Sequence, residues 1–228
     1  MTALAASGAP SRRDEIVDIA RRIFAERGYT NTSMRDIAEA SGLMAGSLYS
    51  HFRSKAEILR LVLSPLVDEL EPGQEAVLAS EGSGLARFDL MIHTVLGVLE
   101  VHRDETTIMH YDWSELSETP DLTDLAQRSN HLLALWQQVI VAGQEDGSIR
   151  ADVRPGLVVR AATSALHASV DSKRFAEQSL PTDAQERSTV ADELTVLFAS
   201  GIGAVARPAR RPNASRSPIP PSRRPRSR

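Results

Sequence analysis

The stretch SGLMAGSLYSHFRSK, residues 41–55, decides how this chain is read. Gly42 supplies a tight turn, and a short helix follows from about Met44 to His51, carrying Ser47, Tyr49 and His51. A soluble helix normally hides its aromatics, so three hydrogen-bonding groups packed into so few residues read as a surface made to touch something. Just before it, Thr32 or Ser33 can cap a second short helix, MRDIAEAS, whose Met34, Ile37 and Ala38 share a face. Further out, Ser11 and Asp14 at capping-box spacing start a longer helix that places Ile16, Ile19, Ala20, Ile23 and Phe24 on one side and stops at Gly28. On the other flank, Ser54 and Glu57 open KAEILRLVLSPLVDEL, expected to be interrupted or kinked near Pro65 and to end before Pro72-Gly73. Two short helices joined through a glycine turn and braced by a longer one form a helix-turn-helix, whose second short helix enters the DNA major groove.

Beyond a Gly/Ser-rich connection at 81–84, apolar periodicity predicts helices at about 85–102, 104–117, 121–146, 155–176 and 183–205, with stops at Thr119-Pro120, Gly147-Ser148 and Pro181. No convincing alternating strand and no internal repeat is found, so the fold class is all-α. An apolar content of 42% over 228 residues is enough for a sizeable core. The last 22 residues hold six prolines and eight arginines with almost nothing to bury, and 207–228 is expected to be a disordered basic tail, as 1–10 is a disordered start.

The net charge of −4 argues against a nucleic-acid partner until its distribution is considered. Residues 11–60 carry nine bases against seven acids, a net of +2, and 207–228 carry eight arginines and no acid. The stretch between them, 61–206, carries nine bases against twenty-three acids, a net of −14. An acidic body would repel phosphates and leave only a selected face able to approach DNA, although the same charges also serve simply to solvate a helical surface. No run of eighteen apolar residues and no basic start followed by an apolar block occurs, so neither a membrane span nor a secretory signal is expected, and the cytoplasm is the expected location. The chain has no cysteine, which removes disulfides, thiolate zinc sites and cysteine nucleophiles.

Residues 11–70 resemble the DNA-binding domain of the TetR family of bacterial transcriptional regulators. The match lies in FAERGY (24–29), RDIAEASGL (35–43), GSLYSHFRSK (46–55) and the helix that follows. The resemblance implies a helix-turn-helix at about 34–53 that contacts double-stranded DNA through nine positions. Thr32 and Ser33 would grip a phosphate at a helix start, or serve only as N-caps. Arg35 would reach a guanine edge or a phosphate, or pair with Asp36 or Glu39. Gly46 would allow close backbone approach, Ser47 and Leu48 would face base edges or thymine methyls, Tyr49 would contact a phosphate or merely pack on the first helix, and His51 and Lys55 would contact phosphates. Phe52 belongs to the core. Many family members carry a hydroxyl residue and a lysine where this chain has Met44 and Ala45, so one phosphate contact and one helix cap are expected to be missing.

The same resemblance implies a helical ligand-binding and dimerisation domain at 71–206, which would act as a homodimer on a palindromic operator with recognition helices about 34–36 Å apart or a multiple of that. Ala161, Ala162, Ala165, Ala168 and Ser169 offer small residues for close helix approach, and Val190, Leu194, Leu197, Phe198 and Ile202 form an apolar stripe on the next helix; together they would build a four-helix bundle across the dimer, or else pack within one chain. Met91, His93, Met109, Tyr111, Trp113 and Trp136 mix apolar area with sparse polar groups and are the candidates for an effector pocket. The segment HRDETTIMHYDWSELSE (102–118) is loosely similar to TetR-family regulators that respond to acyl-CoA esters, so the expected effector is apolar or an acyl-CoA.

Catalysis is not supported. His93, His102 and His110 lack the spacing of a metal pair on one helix, HExxH is absent, and GIG at 201–203 lacks the strand a nucleotide loop needs, so no cofactor, metal or catalytic residue is expected. The reading is a DNA-binding repressor released by a small effector through rearrangement of the helix that begins at 55. The alternative is a ligand-independent helical DNA-binding protein whose second domain only dimerises or binds a partner protein, and a cavity there would tell the two apart.

Overall fold

The computed structural model describes the backbone of residues 11–116, 119–170 and 184–204, and the side chains of 11–111, 119–170 and 189–204. Within these limits the chain is helical, apart from a turn of 3-10 helix at Pro120–Leu122 and one isolated bridge between Ile149 and Gly203. The segments 1–10 and 207–228, and the end of the expected helix 155–176, lie outside the described residues.

Side-chain caps set several of the helix starts. In α1 (Arg12–Arg27) the Ser11 hydroxyl accepts from the Asp14 N–H at 3.2 Å, and the Asp14 carboxylate accepts from the Ser11 N–H at 3.1 Å. The same reciprocal pair, Ser33 and Asp36, opens α2 (Met34–Ala40). Both carboxylates are held below their ordinary pKa, first by the hydrogen bond from the serine side chain and then by its backbone. The third helix, α3 (Ala45–Leu48), is different: its N-cap is Met44, which has no oxygen to offer, so the cap that the sequence lacks is absent in the fold as well. The α2–α3 turn passes through Gly42 at φ +67°, a left-handed conformation that favours glycine.

The fourth helix, α4 (Lys55–Ala79), corrects an expectation. It runs without interruption through both Pro65 and Pro72, about 37 Å at 1.5 Å per residue, instead of ending before Pro72. Each proline removes one bond to the carbonyl four residues back. Burial on both sides of them, through Leu63, Leu66, Val67, Leu70, Gln74 and Val77, offsets that loss.

Four helices follow: α5 (Gly84–Val101), α6 (Arg103–Leu116), α7 (Thr123–Glu145) and α8 (Pro155–Val170), with α9 (Ala184–Ile202) closing the described chain. Helices α4, α5 and α7 pack on one another, α8 lies against α5 and α7, and α9 lies on α5. The α5 head meets α7 with almost no clearance, since a methyl group on Gly84 would stand 2.2 Å from the Gly143 Cα. Asp146 secures that crossing by accepting from the Gly84 N–H at 2.6 Å, and the Ser148 hydroxyl accepts from the Leu85 N–H at 3.0 Å. The end of α9 is tied to the same loop through Arg150 N–H to the Ile202 carbonyl, 2.9 Å, and Ala204 N–H to the Ser148 carbonyl, 3.0 Å. Phe88, edge-on to both Trp136 and Phe198, anchors the core between α5, α7 and α9.

Candidate functional site

The helix-turn-helix presents one exposed edge. Gly46, Ser47 and Tyr49 are exposed, Tyr49 at 58% and the neighbouring Met44 at 84%, while His51 is half-buried. A Cβ added at Gly46 would meet nothing within 4 Å, so the fold itself does not demand glycine there. Arg35 is exposed on α2 and forms no ion pair with Asp36 or Glu39 among the described residues.

Three expected contacts lie elsewhere in the packing. Leu48 is fully buried at 0% exposure, between the helices that Ile16, Ile37 and Phe52 also fill, so it holds α3 down and does not face outward. A helix of four residues has room for only one core anchor, and the apolar side chain takes that role. Thr32 is 2% exposed, and its hydroxyl donates to the Gly28 carbonyl at 2.8 Å, while Ser33 alone is the cap. The Lys55 ammonium donates to the carbonyls of Tyr29 and Thr32, at 2.7 and 2.8 Å, and sits 4.0 Å from the Tyr29 ring centre. It closes the α1–α2 turn onto the head of α4.

Ion pairs bind this head to the rest of the molecule. Arg13 of α1 donates to Glu57 of α4 at 2.6 Å. Arg21 of α1 pairs with Asp104 and lies 3.8 Å from Glu105, both in the first turn of α6. His102, between α5 and α6, contacts Glu69 of α4 at 2.9 Å.

A cavity of about 250 Å³ opens among α4 to α8. Leu66, Leu70 and Gln74 line it from α4, and Val95 and Leu99 from α5. Met109 and His110 come from α6, Ser129, Leu132 and Trp136 from α7, and Thr163 and His167 from α8. No Asp, Glu, Lys or Arg belongs to the described lining. The His110 and His167 rings lie 5.3 Å apart, and burial, followed by the neighbouring His110, pushes the His167 pKa down to about 4. Gln74 is 2% exposed and its Oε1 has no hydrogen-bond partner.

Of the six expected pocket residues, Met109 and Trp136 line this cavity. Met91 is core at 0% exposure, His93 faces Asp89 and Asp192 at 3.5 and 3.4 Å, and Tyr111 is 48% exposed with its ring against His110. The Trp113 side chain lies outside the described residues. Helical spacing alone sends these residues to different sides of α5 and α6, which is why sequence could not sort them. Gln74, His110 and His167 were not anticipated. Gln74 could have been found, because it falls four residues after Leu70 in the apolar stripe of α4, but ending the helix at Pro72 hid it.

Among the candidate dimer residues, Ala162 is 0% exposed within the chain and Phe198 packs edge-on to Phe88 at 6.0 Å, so both serve the intrachain core. Leu194, Val190, Ala165, Ala168 and Ser169 are half-buried, Ile202 is buried, and Ala161 is exposed. Leu197, at 67%, and its neighbour Val196, at 65%, point away from the core, as does Leu157 on α8 at 48%.

Comparison with known proteins agrees with this architecture. Residues 16–62 match the family model described as bacterial regulatory proteins, tetR family, and residues 81–171 match a tetracyclin repressor-like C-terminal domain. The chain is 33% identical over 154 residues, 68% of its length and 76% of the relative's, to the HTH-type transcriptional repressor KstR2 of Rhodococcus jostii. It superposes on the ketosteroid transcriptional regulator KstR2 of Mycobacterium tuberculosis with a TM-score of 0.72 at 28% identity, covering 87% of this chain and 98% of that one. AibR, solved in complex with isovaleryl coenzyme A and operator DNA, shares the fold at a TM-score of 0.64 and 19% identity, over 82% of this chain and 97% of that one. The helix-turn-helix head, the helical second domain and these matches together place the chain in the tetR family of bacterial regulatory proteins, as a DNA-binding transcriptional regulator and not an enzyme.

Proposed function

We propose that the chain is a homodimeric cytoplasmic repressor that binds a palindromic operator through residues 11–70 and receives a small effector in the domain formed by 71–206. The observation that carries this reading is α4. Its first turn closes the α1–α2 turn through Lys55, and its fifth and sixth turns, at Leu70 and Gln74, form part of the wall of the cavity. A guest that pushes on that wall acts on the same rigid helix that carries the DNA-binding head. A guest with unequal affinity for two arrangements of the head shifts their populations and so loosens the operator. The cavity favours an effector-responsive repressor over a second domain that only dimerises. The chain's 33% identity to a repressor, KstR2, supports repression. An apolar or acyl-CoA effector suits the uncharged lining, with a bulky polar portion left outside the mouth.

On the DNA side, Ser33, Arg35, Gly46, Ser47, Tyr49 and His51 form the contact set, with Arg35 at a base edge or phosphate and Tyr49 on phosphate. Lys55 joins it only by releasing the Tyr29 and Thr32 carbonyls. Leu197, Val196 and Leu157 are the apolar positions that a partner copy would cover. The arginine tail adds charge against the DNA backbone, so removing 207–228 should flatten the salt dependence of binding by about 0.9 in log K per log salt for each phosphate it neutralises.

The test is selection of genomic fragments by the purified protein at fixed salt, with Tyr49→Ala alongside. Enrichment of one palindrome that the variant loses supports the reading. Retention of DNA without sequence preference would sink it.

A further inference from the structure

Gln74 raises a question that the repressor reading leaves open. It stands in the buried stripe of α4 between Leu70 and Val77, where the neighbouring positions are apolar, and it is 2% exposed. Its Oε1 is closed off from solvent without a donor, and such an orphaned acceptor is costly to keep. An apolar residue of the same shape would remove the cost, and this amide, unlike the other orphaned groups, stands in the lining of the cavity. Two of the other polar groups at the wall donate to backbone carbonyls. The Ser129 hydroxyl donates to the Leu125 carbonyl at 2.9 Å, and the Thr163 hydroxyl donates to the Val159 carbonyl at 2.9 Å. Half-buried His167 is held in its uncharged form at neutral pH. No Asp, Glu, Lys or Arg stands in the described lining, so an ionised guest would meet no side chain of fixed charge there.

Resting on the effector reading above, we propose that the cavity selects an uncharged, largely apolar guest bearing a hydroxyl or amide N–H, which donates to Gln74 Oε1, while Leu66, Leu70, Val95, Leu132 and Trp136 enclose its carbon framework. The amide turns about its own side-chain torsions to meet the donor. A site built around one buried hydrogen-bonding group discriminates strongly against an analogue that lacks it, whereas apolar walls alone distinguish guests weakly. The cavity, at about 250 Å³, falls just below the size range of pockets for drug-sized molecules, so it holds a compact guest or the apolar part of a larger one.

Three probes of one shape test this: 2-naphthol, 2-methylnaphthalene and 2-naphthoate, each equilibrated by dialysis against the full chain at pH 7.5. The expected order is 2-naphthol about tenfold tighter than 2-methylnaphthalene, with 2-naphthoate weakest. In Gln74→Leu, the tenfold preference should disappear while 2-methylnaphthalene is retained. Should that variant fail to fold, the order in the wild type still decides. Equal binding of 2-naphthol and 2-methylnaphthalene to the wild type overturns the proposal, as does a preference that survives Gln74→Leu; in both cases the effector reading stands. If none of the three is retained, the cavity admits no such guest, and the effector reading falls with the proposal.

Discussion

The two working ends of this molecule are built on opposite terms with solvent. At the helix-turn-helix, the backbone is closed by Ser33 and Asp36 and by a positive-φ glycine, one leucine anchors α3, and the polar side chains stand outside. At the cavity the wall is largely apolar, and the Gln74 amide is buried with its Oε1 unpartnered. The first arrangement suits a partner that is large, charged and wet, because exposed hydroxyls and guanidinium groups can meet phosphates with little loss of hydration. The second suits a partner that is small and neutral, because everything it displaces and touches is desolvated. Helix α4 belongs to both regions, and proline twice in its length has not divided them.

The contrast can be broken most sharply inside the recognition stretch. Leu48→Ala empties a fully buried position, and urea unfolding should show a loss of about 4 kcal/mol, with operator binding lost through the fold. A loss under about 1 kcal/mol would mean that Leu48 faces outward after all. The next largest effect concerns the cavity. His167 has a pKa of about 4 in the folded chain against 6.5 for the free group, so on acidification the unfolded chain takes up this proton first. Its contribution to stability is therefore complete above about pH 6.5, declines between 6.5 and 4, and is flat below, on the order of 3 kcal/mol in all. Unfolding of His167→Phe measured over the same range should lack that share, while the carboxylates Asp14, Asp36 and Asp146, all with lowered pKa, lose their stabilisation only at lower pH.

Tyr49→Ala tests the outward half. With 58% of its surface exposed, the tyrosine should cost less than about 0.5 kcal/mol of stability, yet its loss should weaken operator binding about tenfold. Smallest, and of opposite sign, is Gln74→Leu without any guest: removing an orphaned acceptor should raise stability by about 1 kcal/mol in the same urea assay. A destabilisation there would mark Gln74 as a structural group, not a recognition group.

The DNA-binding head was legible in the sequence because its determinants are local. Ser11 with Asp14, and Ser54 with Glu57, act within one helical turn, and Gly42 acts at its own φ, so spacing alone locates them, whereas the choice of Ser33 over Thr32 as the second cap waited for the fold. The missing cap at Met44 was legible from the family pattern, in which many members carry a hydroxyl residue there. Within that head, the division between Tyr49 outside and Leu48 inside was not. Neighbouring residues on a short helix point about 100° apart, and which one meets the core depends on where α1 and α4 lie. Thr32 and Lys55 changed roles likewise, each drawn to a carbonyl that only folding brings near.

The cavity was beyond sequence almost entirely. Five helices contribute to it, the two lining histidines are 57 positions apart, and a burial pattern of period 3.6 says that a face is covered without saying by what. Sequence by itself determined that the chain is all-helical, where its first four helices begin, and that it carries a tetR-type head, because these depend on contacts three or four residues apart. Tertiary structure alone decided that α4 passes unbroken from that head to a neutral cavity with Gln74 in its wall, because burial energy summed along a whole helix face outweighs what two prolines and one amide ask of their neighbours.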